Sequence, residues 1–331
     1  MPRTPLTFTP TSRRHVGLWI RFLVVVLAFV VLAGARSAAH DETGTFVPIE
    51  VRGATFTAAR AITADGRIVG FYGSSAVDQH GFLLDRGTVT TIDVREPGAR
   101  WTNVFGMNSR GDIVGSFGDQ QDDGAIVQRG FVWRAHGAFT VIDGPSMTDD
   151  GPTIRTLAKG INAAGDITGY YDTVNKRHGF LLSKRGVFTT IDLEGTQGPP
   201  PNGTFVQWIN ARRDMVGSFF NGSVHGFLMS GDTVTQLDVP FADSINTNAP
   251  GLNDHGEIVG FYTAFASDPA KRRTLGFWRD RKGHYESFEA PTETPSSATV
   301  PTSINNRGDI VGQYTHAGVT RGFVLYRGGP R

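Results

Sequence analysis

The chain has 331 residues, a formal net charge of +1 and no cysteine. The absence of cysteine excludes disulfides, thiol catalysis and thiolate metal sites. The near-zero charge gives no electrostatic basis for binding nucleic acid, and a chain of this length can bury a sizeable core without disulfides.

The first predicted element is an export signal at residues 1–39. Arginines precede an apolar run, Phe22–Leu32, and small residues follow it. This order is typical of a signal peptide, and cleavage is expected after Ala35 or Ala39. The run is short for a membrane span, but Val16–Ile20 could extend it across Arg21, so an uncleaved anchor is the alternative. We therefore expect a secreted or periplasmic protein, with membrane contact through this segment alone if it is retained.

Residues 40–331 repeat one pattern six times. Each copy contains an apolar residue, Asn, two variable residues, Gly, an acid and Ile-Val-Gly, as in Met107–Gly115 and Ile304–Gly312, and some copies depart at one or two positions. A Gly-Phe pair follows in every copy, and successive pairs are 46 to 50 residues apart, at Phe82, Phe131, Phe180, Phe227, Phe277 and Phe323. A period of this length is typical of repeat architectures, so most recurring residues are expected to serve structure.

Each copy contains four short runs rich in Val, Ile, Thr, Phe and Tyr, separated by Gly, Asn and Asp, which predicts four β-strands. The Asn-x-x-Gly segment predicts a type I turn between the first two strands, with Gly in the left-handed conformation. The acid after Gly is expected to pair locally or to face water. In the fourth copy Arg213 replaces this Gly, which predicts either another turn geometry or a strained arginine.

The two ends of the repeat region predict a closed ring. The sixth copy stops after its third strand, whereas Phe46–Val51 matches the fourth-strand pattern and precedes the first copy. We therefore predict an all-β fold, a six-bladed β-propeller of four-stranded blades, closed by the N-terminal strand that completes the last blade. This single domain would span residues 40–331 as a monomer. An open β-solenoid is the alternative, but it leaves the missing strand unexplained.

The repeat resembles the HAF family of extracellular repeat proteins. The resemblance rests on the triplets His80–Phe82, His178–Phe180 and His225–Phe227, and on the phrase Ile-Asn-x-x-Gly-Asp-Ile-Val-Gly. It covers nearly everything after the N-terminal segment. The family resemblance implies export and a repeat fold, and it brings no biochemical activity to this chain.

Loop lengths indicate which end of the fold binds a partner. The second-to-third loops and the connectors between blades would emerge on the same face, and both vary in length, as at the connector Pro145–Gly151. The longest second-to-third loops contain Asp119–Gly124 and Ser267–Arg273. Variable loops on a rigid scaffold are where binding usually occurs. The candidate ligand-binding residues in these loops are Asp122, Asp123, Lys271 and Arg272, and the expected partner is a polysaccharide, a cell-surface component or another protein.

Two further positions recur as rings. Each copy has a threonine at the start of its first strand, and these are Thr57, Thr102, Thr156, Thr204, Thr247 and Thr299. They either surround a polar ligand with hydroxyls or bond to backbone groups of the scaffold. The residues before Gly-Phe are His80, Arg129, His178, His225, Leu275 and Arg321. Imidazoles can bind metal, but third strands of separate blades lie far apart, so we expect these residues to brace a loop and predict no metal ligand.

Signatures of enzymes are missing from the sequence. There is no Gly-x-Ser-x-Gly elbow, phosphate loop, dinucleotide fingerprint or His-Glu-x-x-His motif. We therefore predict a binding or interaction module with no catalytic residue and no cofactor. An extracellular glycan hydrolase or lyase is the first alternative, which facing carboxylates about 5–10 Å apart would favour. A purely structural surface protein is the second, which the lack of any channel or groove would favour.

Overall fold

The computed structural model describes residues 44–196 and 198–327. These residues form 24 β-strands, which confirms the all-β class. The predicted export segment, residues 1–39, lies outside the described residues. Within the described ranges, no helix has the length and the apolar character needed to cross a membrane.

After β1 (Thr45–Ile49), the strands form units in which each strand lies antiparallel to the next. The first unit contains β2 (Phe56–Ile62), β3 (Ile68–Gly73), β4 (Gln79–Asp85) and β5 (Thr88–Ile92). The second contains β6 (Ala99–Met107), β7 (Ile113–Gln120), β8 (Ile126–Trp133) and β9 (Phe139–Ile142). The third contains β10 (Thr153–Ile161), β11 (Ile167–Thr173), β12 (Arg177–Leu182) and β13 (Phe188–Ile191).

The remaining strands follow the same order. The fourth unit contains β14 (Thr204–Ile209), β15 (Met215–Phe220), β16 (Val224–Ser230) and β17 (Thr233–Leu237). The fifth contains β18 (Ser244–Leu252), β19 (Ile258–Ala264), β20 (Arg273–Arg279) and β21 (Tyr285–Phe288). The sixth contains β22 (Ala298–Ile304), β23 (Ile310–His316) and β24 (Val319–Tyr326).

The sixth unit takes its fourth strand from the other end of the chain. Strand β1 lies antiparallel to β24, with Val47 opposite Val324. The ring of Phe46 stacks on Phe323, with the two centroids 4.8 Å apart, and meets the edge of Tyr314. With β1 included, the sixth unit has the same four-stranded pairing as the other five.

Each unit has two different ends, because neighbouring strands run antiparallel. The first-to-second and third-to-fourth turns lie at one end, which we call the turn end. The second-to-third loops and the connectors to the next unit lie at the other, which we call the loop end.

The glycines of the Gly-Phe pairs allow successive units to pack closely. A Cβ on Gly81 would lie 2.5 Å from Cγ2 of Val104, and a Cβ on Gly179 would lie 2.5 Å from Cγ2 of Val206. Val104 and Val206 belong to the first strand of the next unit and are fully buried. A side chain at either glycine would therefore push two units apart.

In the second to sixth units, the Asn of the repeated phrase joins its turn to the next unit, and the first unit has Thr63 at this position. In the second unit, Oδ1 of Asn108 accepts a hydrogen bond from the backbone N–H of Asp112 at 3.0 Å, within its own turn. Its Nδ2 donates to the carbonyl of Asn162 in the third unit at 3.1 Å. Equivalent bonds lead onward from unit to unit, and Nδ2 of Asn305 in the sixth unit donates to the carbonyl of Thr63 in the first at 3.1 Å.

The acid that follows in the phrase pairs locally and is buried, so it does not face water. Asp112 is 4% exposed and accepts hydrogen bonds from Nδ2 of Asn108 at 3.0 Å and from the backbone N–H of Ala135 at 3.1 Å. Burial raises the pKa of Asp112, but these bonds and the nearby Arg110 outweigh burial and hold the pKa below its ordinary value. The carboxylate therefore stabilises the fold above its ordinary pKa, and this contribution is lost as the pH falls through the lower pKa of the folded state.

Arg213 adopts the strained conformation that was one of the two expectations. Its φ of 67° is left-handed, as is the φ of 87° at Gly111 in the second unit. Its backbone N–H donates to the carbonyl of Asn210 at 3.1 Å, so the turn keeps the geometry of the other copies. The side chain reaches the third unit, where Nε lies 3.2 Å from Oδ2 of Asp166.

Replacing Arg213 with glycine is expected to raise the melting temperature by about 2 °C, because a left-handed non-glycine residue costs about 1–2 kcal/mol. The partly exposed ion pair with Asp166 offsets less than about 1 kcal/mol of this gain. Differential scanning calorimetry of R213G beside the neighbouring variant R212G tests the expectation. A lower melting temperature for R213G would show that the ion pair outweighs the strain.

Candidate functional site

The predicted ring of threonines is buried in the scaffold. Thr156, for example, is 1% exposed, and its Oγ1 accepts a hydrogen bond from the backbone N–H of Gly144, in the preceding connector, at 2.8 Å. The same kind of bond forms at Thr57, Thr102, Thr156, Thr204, Thr247 and Thr299. These hydroxyls attach connectors to first strands, as the structural interpretation expects. The threonines are at most 3% exposed, and Thr156 lines the cleft described below.

The residues before Gly-Phe brace the end of the fourth strand. Nδ1 of His178 lies 2.9 Å from Oδ2 of Asp192, and Nε of Arg129 donates to Oδ1 of Asp143 at 3.0 Å. The equivalent pairs are His80 with Asp93, His225 with Asp238, Arg321 with Glu50 and, where Leu275 stands in the fifth unit, Arg273 with Glu289. This contact explains why an acid follows the fourth strand in each copy.

The long segment Asp119–Gly124 is mostly an extended hairpin and not a loop. Strand β7 continues to Gln120, and a tight turn follows, in which the N–H of Gly124 donates to the carbonyl of Gln121 at 2.9 Å. Asp122 and Asp123 are exposed at the tip of this turn. The extra residues predicted for this connection therefore lengthen a hairpin, because the two strands keep pairing as far as Gln120 and Ile126.

The fifth unit carries the other predicted candidates. Nζ of Lys271 lies 3.1 Å from Oδ2 of Asp268, and the guanidinium of Arg272 donates to the carbonyl of Ala266. Both side chains therefore bond within their own loop. Because this loop belongs to the fifth unit and Asp122 to the second, the structure does not gather the predicted candidates into one site.

A cleft of about 290 Å³ lies at the loop end between the second and third units. Three segments meet there: the extended hairpin, the connector Pro145–Gly151 and the start of β10. The residues that line the cleft include Gln121, Gln128, Arg129, Ser146, Ile154 and Arg155. The structure thus places a concave surface at the end where the sequence predicts binding.

Two arginines that border the cleft are held in place by carboxylates. Arg129 bonds to Asp143 and also donates through Nη1 to Oδ2 of Asp119 at 3.1 Å. Hydrogen bonds from these carboxylates raise the pKa of Arg129, although burial opposes them. The guanidinium of Arg155 pairs with Asp172, which is 1% exposed. Both guanidinium groups are therefore fixed before any ligand arrives.

The remaining groups of the cleft combine polar and apolar surface. Gln121 and Gln128 supply amides, Ser146 supplies a hydroxyl, and Ile154 is 45% exposed beside them. Fixed donors and acceptors next to an apolar surface suit a ligand that carries several hydroxyl groups.

Sequence reasoning missed most of these residues. Ile154 and Arg155 belong to no repeated phrase, and Ser146 lies in a connector of variable length. The signal that could have found them is the coincidence of a long hairpin in the second unit with a long connector directly after it. The packing of those two segments against each other requires the tertiary structure.

Comparisons with known proteins identify no family. No family model matches the chain, and no curated protein matches it. Among solved structures, a mutant of Aleuria aurantia lectin in complex with Fucalpha1-6GlcNAc has a TM-score of 0.49 and 11% identity, over 82% of this chain and 97% of that chain. A mutant of AofleA from Arthrobotrys oligospora has a TM-score of 0.46 and 12% identity, over 86% of this chain and 87% of that chain.

A sialidase from Trypanosoma rangeli, in complex with 2,3-difluorosialic acid, has a TM-score of 0.46 and 9% identity, over 87% of this chain and 57% of that chain. Each TM-score is below 0.5, so these likenesses say nothing about what this chain binds.

Proposed function

We propose that the six units close into a β-propeller that acts as an exported binding module for glycans, with the loop-end cleft as the binding site. Ring closure is supported by the pairing of β1 with β24 and by the bond from Asn305 to Thr63. Oγ1 of Thr302 also donates to the carbonyl of Ala59, at 3.0 Å, across the same junction of the sixth and first units.

The observation that carries the binding proposal is the cleft with its fixed guanidinium groups. Arg129 and Arg155 are each held by a carboxylate, and amides, a hydroxyl and an aliphatic side chain lie beside them. Such preorganised groups bind sugar hydroxyls without a large loss of side-chain entropy. The presence of a groove also argues against a purely structural surface protein.

A glycan hydrolase is the less favoured function. Asp143 lines the cleft and Asp119 lies beside it, and both carboxylates accept hydrogen bonds from Arg129. Hydrolysis of a glycoside needs one carboxyl group as a proton donor to the leaving oxygen. Neither acid is placed to donate a proton, because each carboxylate is bonded to the guanidinium of Arg129.

A thermal-shift screen of the purified protein tests the proposal. The panel contains galactose, glucose, mannose, xylose and fucose with their oligosaccharides, since a ligand selective for the folded state raises the melting temperature. At 100 times its dissociation constant, a ligand adds about 2.7 kcal/mol, which corresponds to a rise of several degrees. We expect at least one glycan to raise the melting temperature without release of reducing sugar. Release of reducing sugar would favour the hydrolase, and no shift across the panel would contradict glycan binding.

Export is proposed from the sequence of residues 1–39 alone. Antibody detection in the culture medium or the periplasm, with N-terminal sequencing of the recovered protein, tests it. Recovery in the cytoplasm with Met1 intact would contradict export.

A further inference from the structure

A β-bulge recurs in the first strand of every unit, at the same place. The pairing between first and second strands skips a residue there, for example between Ala59 and Ala61 in β2 and between Ala158 and Gly160 in β10. The residues at the bulges are Arg60, Phe105, Lys159, Gln207, Pro250 and Thr302. A residue at a bulge is released from the ladder and can point away from the sheet.

The bulges of neighbouring units lie against one another. A Cβ on Gly106 would lie 2.8 Å from the carbonyl of Lys159, and a Cβ on Gly160 would lie 3.0 Å from the carbonyl of Gln207. A Cβ on Gly251 would lie 3.1 Å from the carbonyl of Thr302. The bulge residues of successive units are therefore brought together where the first strands meet.

Two of the six bulge residues are cations, and none is an acid. Arg60 lies over the ring of Phe71, with Cζ 4.9 Å from the centroid, and Lys159 lies over Phe105, with Nζ 3.7 Å from the centroid. The rings of Phe71 and Phe105 are themselves 6.0 Å apart. Both cations thus belong to one cluster, in which aromatic faces support them.

Neither cation has an ion-pair partner within the part of the chain that the structure describes, residues 44–196 and 198–327. Nε of Arg60 is also buried without any hydrogen-bond partner there. A third cation next to them, Arg177, differs because it makes two bonds to Asp172, at 2.6 and 2.8 Å. The cluster therefore holds two positive charges that no carboxylate of the described residues pairs with.

The surroundings of Arg60 and Lys159 disfavour the charged form of both side chains. Burial lowers the pKa of Lys159 well below its ordinary value, and the charges of Arg60 and Arg177 lower it further. Burial likewise lowers the pKa of Arg60 to about 10. The aromatic hydroxyl of Tyr170 lies close enough to Arg60 to oppose this shift. Unpaired charges in such surroundings destabilise a fold unless a ligand compensates them.

We propose that Arg60 and Lys159 form a binding site for an oxyanion, either a free inorganic anion or the acidic group of a sugar. The site is separate from the loop-end cleft and does not depend on glycan binding there. An oxyanion between the two cations supplies the negative charge that the fold omits and accepts hydrogen bonds from the guanidinium and the ammonium. The flanking phenylalanines exclude water and strengthen the attraction.

Isothermal titration and thermal shift of the purified protein test this site, with sodium sulfate, sodium galacturonate and neutral galactose as probes at constant ionic strength. We expect sulfate or galacturonate to bind and to raise the melting temperature, with galactose causing no shift through this site. Binding of sulfate alone assigns a free inorganic anion, and tighter binding of galacturonate assigns an acidic sugar. Failure of both anions to bind overturns the proposal.

The variants K159M and R60M remove one charge each and keep most of the side-chain length. We expect each to weaken anion binding at least tenfold, roughly the loss seen when one partner of a buried charge pair is removed. The matched control K282M removes an exposed lysine from the turn of the fifth unit and should bind as the wild type does. Equal anion binding by the wild type and both cluster variants would show a non-specific ion effect and overturn the proposal.

Stability gives a second readout that does not depend on finding the ligand. Without anion, K159M should melt at a higher temperature than the wild type, because it lacks a half-buried, uncompensated charge. Since the folded pKa of Lys159 is lowered, the wild type gains stability as the pH rises from that pKa towards the ordinary value of 10.5. The difference between the two proteins should therefore shrink with rising pH, whereas a K159M that is less stable at neutral pH would contradict the uncompensated charge.

Discussion

Replacement of Gly169 by alanine is expected to lower the free energy of unfolding by more than about 3 kcal/mol, at the upper end of the range for overpacked cores. A Cβ at this position would overlap the carbonyl oxygen of Leu157 on β10 and lie 2.8 Å from Cε1 of Phe180. The backbone of β10 is fixed by its neighbours, and the ring of Phe180 is fully buried. Neither group can move aside, so the sheet itself must distort.

Urea denaturation of G169A and of G186A compares the loss of unfolding free energy caused by this clash with the loss caused by replacing a glycine that has no close neighbour. Gly186 has a φ of 84° and nothing within 4 Å of an added Cβ. G186A should therefore cost about 1–2 kcal/mol, from backbone strain alone. If G169A lost no more stability than G186A, the close packing of Gly169 would not be essential. The equivalent glycines, which predict the same loss, are Gly70, Gly115, Gly217, Gly260 and Gly312.

Replacement of Asn305 by alanine is expected to cost about 2–4 kcal/mol, because several buried polar groups lose their partners together. Nδ2 of Asn305 donates to the carbonyl of Thr63 at 3.1 Å and to Oδ2 of Asp309 at 3.0 Å. Its Oδ1 accepts the N–H of Asp309 at 3.0 Å. One substitution thus breaks the turn and the junction between the sixth and first units.

The variant N162A is the matched control, because Asn162 makes the same bonds between the third and fourth units. Its Nδ2 donates to the carbonyl of Asn210 at 3.2 Å, and its Oδ1 accepts the N–H of Asp166 at 3.0 Å. If the ring is closed, N305A and N162A should lose similar stability in urea denaturation. In an open array the carbonyl of Thr63 would be hydrated, and a clearly smaller loss for N305A would contradict closure.

Local patterns explain how much of the fold could be predicted. The turn at Asn108 follows from the side-chain chemistry of Asn and Gly within five residues, and the predicted strands follow from short β-rich runs. The similarity of Phe46–Val51 to a fourth strand predicted the partner of β24, because the fourth strands share a pattern that ends in an apolar residue and an acid. Repetition turned weak local signals into strong ones.

Contacts between segments that lie far apart in the sequence could not be predicted in the same way. The burial of Asp112 depends on the backbone of Ala135, in the next turn of its unit, and the threonine bonds depend on where each connector passes. The bulge at Arg60 and the cleft at Ser146 depend on backbone geometry and on packing between neighbouring segments. The residues that break the repeat were recognised as informative, but their side-chain partners required the tertiary structure.

Glycan-array binding by the wild type, S146W and A242W measures the central claim most directly. Ser146 is exposed and lines the cleft, so an indole there fills the cleft and leaves the bonds of Arg129 and Arg155 to their carboxylates in place. Ala242 is exposed in the connector between the fourth and fifth units, so A242W adds the same bulk elsewhere. We predict that the wild type and A242W retain the same glycans and that S146W loses them. Retention of the same glycans by S146W, or of none by the wild type, would contradict binding in the cleft.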